Sequence, residues 1–168
     1  GIELTVGIKL LSWLEWQINA TLSRNIIKDY TEFTDNWEGD QVVHYIGESN
    51  LSFSPEIIAG SQLAYKPFKN FEITLISKYV GEQFIDNSSA TDRMLDAYFV
   101  NNVRLGYRIE TKLFKTIDFN LVVNNIFNHE YETDAWVYRY FYENQFNNMD
   151  GYFPQAGINA MGGIVLSF

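Results

Sequence analysis

Apolar and polar side chains alternate along much of this chain with a period of two residues, the pattern of strands with unlike faces. Between residues 2 and 10, Ile2, Leu4, Val6, Ile8 and Leu10 form one set, and Glu3, Thr5, Gly7 and Lys9 form the other. Leu14, Trp16, Ile18, Ala20 and Leu22 then alternate with Glu15, Gln17, Asn19 and Thr21. The pattern predicts a third strand over 51 to 65, with Ile58 and Ala64 as exceptions, and a fourth over 71 to 84. A fifth is expected over 98 to 109, a sixth over 117 to 124 and a seventh over 156 to 168, where Ala160, Ile164, Leu166 and Phe168 share a side.

The links between these strands alternate in length. Those near 11 to 12, 66 to 70 and 110 to 116 are short, while 29 to 49, 85 to 97 and 129 to 155 are long. Short turns on one rim and long loops on the other is the layout of transmembrane barrels. A soluble sandwich also alternates, but its strands are usually about 5 to 6 residues, whereas the 9 to 11 tilted residues that cross a bilayer match these segments. Trp13, Trp16, Phe53, Tyr65, Phe71, Tyr79, Phe99 and Tyr107 fall near strand ends, as in an interfacial girdle. The expected fold class is all-β, an antiparallel transmembrane β-barrel segment of about seven long strands.

Charge sharpens this picture. Fifteen of the 21 acids lie in 29 to 49, 82 to 96 and 130 to 150, whereas Lys9, Lys66, Lys69, Arg108, Lys112 and Lys115 sit at or beside the short turns. A net charge of −9 excludes a nucleic-acid partner, whose phosphates need a basic footprint. There are no cysteines, so disulfide and thiol chemistry are absent. No apolar run approaches the roughly 20 residues of a spanning helix.

Strand parity adds an expectation. Single-chain bacterial barrels have an even number of strands, and seven is odd, so residues 1 to 168 are expected to be the closing portion of a longer barrel with its carboxyl terminus on the periplasmic side. The alternative is a small complete outer-membrane barrel, with an eighth strand hidden in 131 to 142, acting as an adhesin or scaffold.

Two motifs point further. The segment NLVVNNIFNHEYE from Asn120 to Glu132, followed by a long loop and YFPQAGINAMGGIVLSF from Tyr152 to Phe168, resembles the closing hairpin of TonB-dependent outer-membrane receptors. The stretch from Ser52 to Asn87 is similar to earlier strands in members from Bacteroidetes. The resemblance implies the last part of a twenty-two-stranded plugged barrel in the bacterial outer membrane, lacking here the plug and TonB-contacting segment. It implies active import of a scarce nutrient complex of the siderophore/iron, haem or cobalamin class, rather than glycan import. The implied partners are the TonB complex through the missing amino-terminal part, outer-membrane lipid and the barrel-assembly machinery. Phe168, Leu166, Ile164 and Ala160 resemble the terminal signal read by that machinery.

The candidate substrate-binding residues lie in the aromatic stretch of the last long loop: Trp136, Tyr138, Arg139, Tyr140 and Tyr142. Such rings grip sugars, siderophores or haem; they equally pack a loop onto its neighbours or form a girdle. Asp29, Glu32, Asp35, Glu38, Asp40 and Glu48 crowd the first long loop without the spacing of a calcium site. That acidity sits awkwardly with capture of an anionic ferric complex. His44 and His129 have no second ligand at a recognisable spacing, so no metal site and no cofactor are expected. No Ser/His/Asp set or Gly-rich phosphate loop is present, so no enzyme is expected. Asn124, Asn125 and Asn128 suit the bends of a strand exit.

Overall fold

A computed structural model describes all residues, Gly1–Phe168. Thirteen strands form in chain order: β1 (Ile2–Leu11), β2 (Leu14–Leu22), β3 (Ile26–Asn36), β4 (Val42–Asn50), β5 (Ile57–Tyr65), β6 (Phe71–Val80), β7 (Gln83–Phe84), β8 (Met94–Leu95), β9 (Tyr98–Glu110), β10 (Thr116–Asn124), β11 (Glu132–Tyr142), β12 (Gln145–Pro154) and β13 (Asn159–Ser167). Seven of them make one antiparallel sheet in the order β1-β2-β5-β6-β9-β10-β13. These are the seven strands that the alternation predicts, joined by short turns on one rim and long excursions on the other.

The register sorts the side chains. Ile8 pairs with Trp16, Trp16 with Leu63, Leu63 with Leu75, Leu75 with Val103, Val103 with Val123 and Val123 with Ala160, one apolar row across the sheet. The adjacent row runs Lys9, Glu15, Ala64, Thr74, Arg104, Val122, Met161. On the apolar face large side chains stand exposed, Leu4 at 61% and Ile164 at 64%. An apolar band of that extent marks a surface made for lipid or another apolar medium. The polar face carries Glu3, Glu15, Gln17, Glu72, Lys78, Arg104 and Asp118, whereas Glu56 precedes β5 and lies outside the sheet.

Aromatics gather at the short-turn rim. Trp13 meets Tyr65 edge-on at 5.5 Å, Phe68 stacks on Phe71 at 4.9 Å, Phe71 meets Tyr107 at 6.1 Å, and Phe114 meets Phe168 at 5.2 Å between ring centroids. Phe53 does not belong to this set: its φ of 50° lies between Ser52 and the break at Pro55, so the third barrel strand begins only at Ile57. Likewise β6 ends at Val80, because Gly81 turns to donate its N–H to the Ile57 carbonyl and Gln83–Phe84 pairs instead with Met94–Leu95.

At the long-loop rim two excursions are themselves hairpins. The segment expected as an acidic loop is β3–β4, and 131 to 153 is β11–β12, closed by Glu143 and Asn144, both at positive φ as a type I′ turn requires. The hairpins join through a short parallel pairing of β3 with β11, Tyr140 opposite Asp35 and Phe141 opposite Asn36, giving a second sheet in the order β12-β11-β3-β4. Asn125 and Asn128, both at φ 50°, carry the chain out of β10. The buried Asn125 side chain donates to the His129 and Ala156 carbonyls and accepts from the His129 N–H.

Candidate functional site

The four-stranded sheet has two different faces, again set by alternation. Trp136, Tyr138, Tyr140 and Tyr142 project from one side of β11, while Ala135, Val137, Arg139 and Phe141 project from the other. The second side lies over the excursion between β6 and β9, where Ile85, Leu95 and Ala135 form a small buried cluster with Val137 against it. Beside this cluster the sheet and the excursion enclose a cup of about 640 Å³, lined by Glu32, Val42, His44, Ile46, Ser88, Asp92, Arg93, Arg139, Phe146 and Asn148. That volume is in the range of a small-ligand site, and the lining is mostly polar, with Val42, Ile46 and Phe146 among its apolar members.

Glu32 is the centre of its charge. Arg139 Nη1 donates to both carboxylate oxygens of Glu32, at 2.9 and 3.2 Å, and its guanidinium lies over the Phe146 ring at 4.2 Å. Arg93 approaches Glu32 at 3.6 Å and Asp86 at 3.0 Å, and its Nη2 donates to Ser88 Oγ at 2.6 Å. The Arg93 side chain is only 5% exposed, and its Nε and Nη1 hydrogens meet no acceptor at hydrogen-bonding angles despite those short ionic distances. Burial, then the charges of Glu32 and Asp86, push the Tyr30 phenol above its ordinary range, with Arg93 opposing. His44 sits directly across from Glu32 in the β3–β4 ladder.

This arrangement accounts for part of the acidity of the loops. Glu32 and Asp86 hold arginines, Asp35 accepts from Gln41 and Tyr138, Asp29 accepts from Tyr45, and Glu48 pairs with Arg24. These acids bind the loops to one another, and the wall of the cup carries Arg93, Arg139 and His44 beside Glu32 and Asp92.

Of the five candidate substrate-binding residues, Arg139 alone reaches the cup; Glu32 and His44, from the first long loop, also line it. Tyr138 donates its hydroxyl to Asp35 at 3.0 Å, and Tyr140 stacks on Trp37 at 4.3 Å with Tyr142 tilted beside it at 5.6 Å. Trp136 lies across from Gly151, where any Cβ would collide with its indole, and stays 46% exposed. The aromatics thus share the outer face, opposite Arg139. Arg93 escapes a reading for binding motifs; its one available signal is that it is the lone base among the acids of 82 to 96.

No family model matches the chain. The crystal structure of the ferric yersiniabactin uptake receptor FyuA from Yersinia pestis superimposes with a TM-score of 0.55 at 18% identity, covering 99% of this chain and 23% of that one. The fold is that of part of this receptor's barrel. The ferric-catecholate import receptor Fiu from Escherichia coli K12, in its closed form, shares the barrel with a TM-score of 0.50 at 15% identity, over 96% of this chain and 27% of that one. In sequence, the catecholate siderophore receptor Fiu of the same strain is 25% identical over 115 residues, 67% of this chain and 15% of the receptor; the O157:H7 strain's receptor matches equally. The chain therefore spans about 15% of the length of the curated relatives it matches. All of these relatives of the receptor barrel are receptors or importers rather than enzymes.

Proposed function

We propose that this chain forms part of a plugged outer-membrane barrel that imports an iron–siderophore complex, with the energy supplied through TonB. The observation that carries this reading is the seven-strand sheet with its alternating connections, which follows the FyuA barrel over 99% of the chain. In this reading the apolar face meets outer-membrane lipid and the aromatics of the short-turn rim sit at the periplasmic interface. The carboxyl terminus lies on the periplasmic side, and Ala160, Ile164, Leu166 and Phe168, on one face of or just beyond β13, present the terminal signal to the barrel-assembly machinery. The long-loop rim then faces the exterior, and the cup between β3–β4 and β11–β12 contributes to capture. Trp136, Tyr138, Tyr140 and Tyr142 line the outer face of the same sheet, where they are proposed to contact ligand or neighbouring loops. The relatives, all uptake receptors, favour import over the adhesin or scaffold alternative.

The test is growth of the source bacterium under iron limitation with single ferric siderophores as iron source, comparing wild type with a strain lacking the gene. Loss of use of one siderophore, restored by the gene, supports the reading. Undiminished growth on every ferric complex, haem and cobalamin overturns it.

A further inference from the structure

The Glu32–Arg139 pair joins two hairpins of the rim, and the inference drawn from it rests on the uptake reading. Arg139 belongs to β11 and Glu32 to β3, two hairpins whose backbones are joined by little more than the Tyr140–Asp35 and Phe141–Asn36 pairing and the Trp37 N–H on the Phe141 carbonyl. Arg139 faces the cup, 25% exposed, and is steadied there by Phe146. Arg93 is 5% exposed and held from three sides by Asp86, Glu32 and Ser88. The two arginines therefore differ in freedom. If Arg139 swings to another anion, Glu32 keeps Arg93 as a counter-cation, so no buried carboxylate is stranded, which is the circumstance that makes breaking an ion pair expensive.

The geometry points to Glu32 as an internal stand-in for the ligand: it holds Arg139 through Nη1 alone, so an incoming complex with adjacent anionic oxygens, as in a ferric tris-catecholate, takes Arg139 from Glu32 by engaging the whole guanidinium fork, and the β3–β4 hairpin is thereby released from β11–β12. A planar guanidinium fork matches paired oxygens in two parallel hydrogen bonds, which an ammonium does not. The exchange conserves charge pairing on both sides and needs no proton transfer.

The experiment uses the full-length protein in outer-membrane vesicles with two arms. In the first, spin labels on Gly39→Cys and Gln145→Cys, on the exposed ends of the two hairpins, report their separation without ligand; the chain itself has no other cysteine. In the second, binding of a ferric tris-catecholate is titrated. The proposal expects Glu32→Gln to widen the ligand-free distance distribution to that of ligand-bound wild type and to tighten binding about three- to tenfold. It expects Arg139→Ala to weaken binding tenfold or more and Arg139→Lys to recover only part of it. Weaker binding in Glu32→Gln, or unchanged distances in that variant, overturns the exchange. If wild type binds no ferric complex while ligand-free Glu32→Gln still separates the hairpins, the uptake reading falls and the exchange with it. Expression of each variant is normalised to folded barrel by its heat-modifiable migration.

Discussion

Trp37 and Tyr140 lie face to face, 4.3 Å between ring centroids and 10° from parallel, and this stack joins the turn after β3 to β11 across the short parallel seam between the two hairpins. Tyr142 closes on the same indole at 5.6 Å, and the Trp37 Nε1–H reaches the Tyr138 hydroxyl at 3.4 Å. Replacing Trp37 with Ala is expected to weaken the seam by about 1 kcal/mol, the usual worth of an aromatic pair beyond its buried area. Limited proteolysis of the β3–β4 turn in intact vesicles checks this; an unchanged cleavage rate refutes it.

Asp35 makes the same seam sensitive to acid. Its hydrogen bond from Gln41, and then that from Tyr138, hold its carboxyl below its ordinary value of 3.8. A carboxylate whose folded pKa is depressed stabilises the folded arrangement above its unfolded value, and that contribution disappears as pH falls through the folded value. The hairpin separation reported by labels at positions 39 and 145 should therefore hold steady from neutral pH down to about pH 4 and widen only below it. In Asp35→Asn the acid step due to this group should vanish.

The β11–β12 turn stores strain at Glu143, a bulky residue at φ 52° beside Asn144 at φ 60°. Asn occupies that region more readily than Glu. Glu143→Asn should stabilise the hairpin by about 1 kcal/mol, visible as roughly fivefold slower proteolytic nicking at the turn. Faster nicking would contradict the turn geometry.

On the apolar face, Leu75 sits in the row of Ile8, Trp16, Leu63, Val103, Val123 and Ala160. Leu75→Arg should destabilise the barrel in lipid by about 2 to 4 kcal/mol if the row crosses the bilayer centre. Lys78→Arg, on the polar face three residues away, should change it by less than about 0.5 kcal/mol. Urea unfolding in phospholipid vesicles measures both, and equal effects would refute the assignment of faces.

The seven barrel strands were legible because each sets a mainly apolar face against a mainly polar one, and the period of two survives exceptions such as Ile58, Ala64, Ile76 and Met161. The β3–β4 hairpin was not, because its ladder is interrupted between Ile27 and Thr31, with Asp29 at φ 56°, and every such interruption shifts the alternation. Leu51 and Phe53 happen to fall in phase with β5, and only the left-handed backbone at Phe53 with Pro55 after it separates them. Arg139 was visible as a cation among aromatics. Its partner Glu32 lies 107 residues away, and nothing in a one-dimensional pattern binds two residues at that distance.

Along the barrel sheet the ladders hold one register from end to end, with a single irregularity between Lys9 and Leu11. One inserted residue within any of these strands would turn its remaining side chains over, sending Arg104 or Lys78 into the oil and a leucine into water. A residue added at the tip of a long-loop hairpin turns over no face of the barrel. Length changes are thus locked out of the wall and open at the rim, so a lineage can rewrite what this surface grips while the wall behind it stays readable in the same frame.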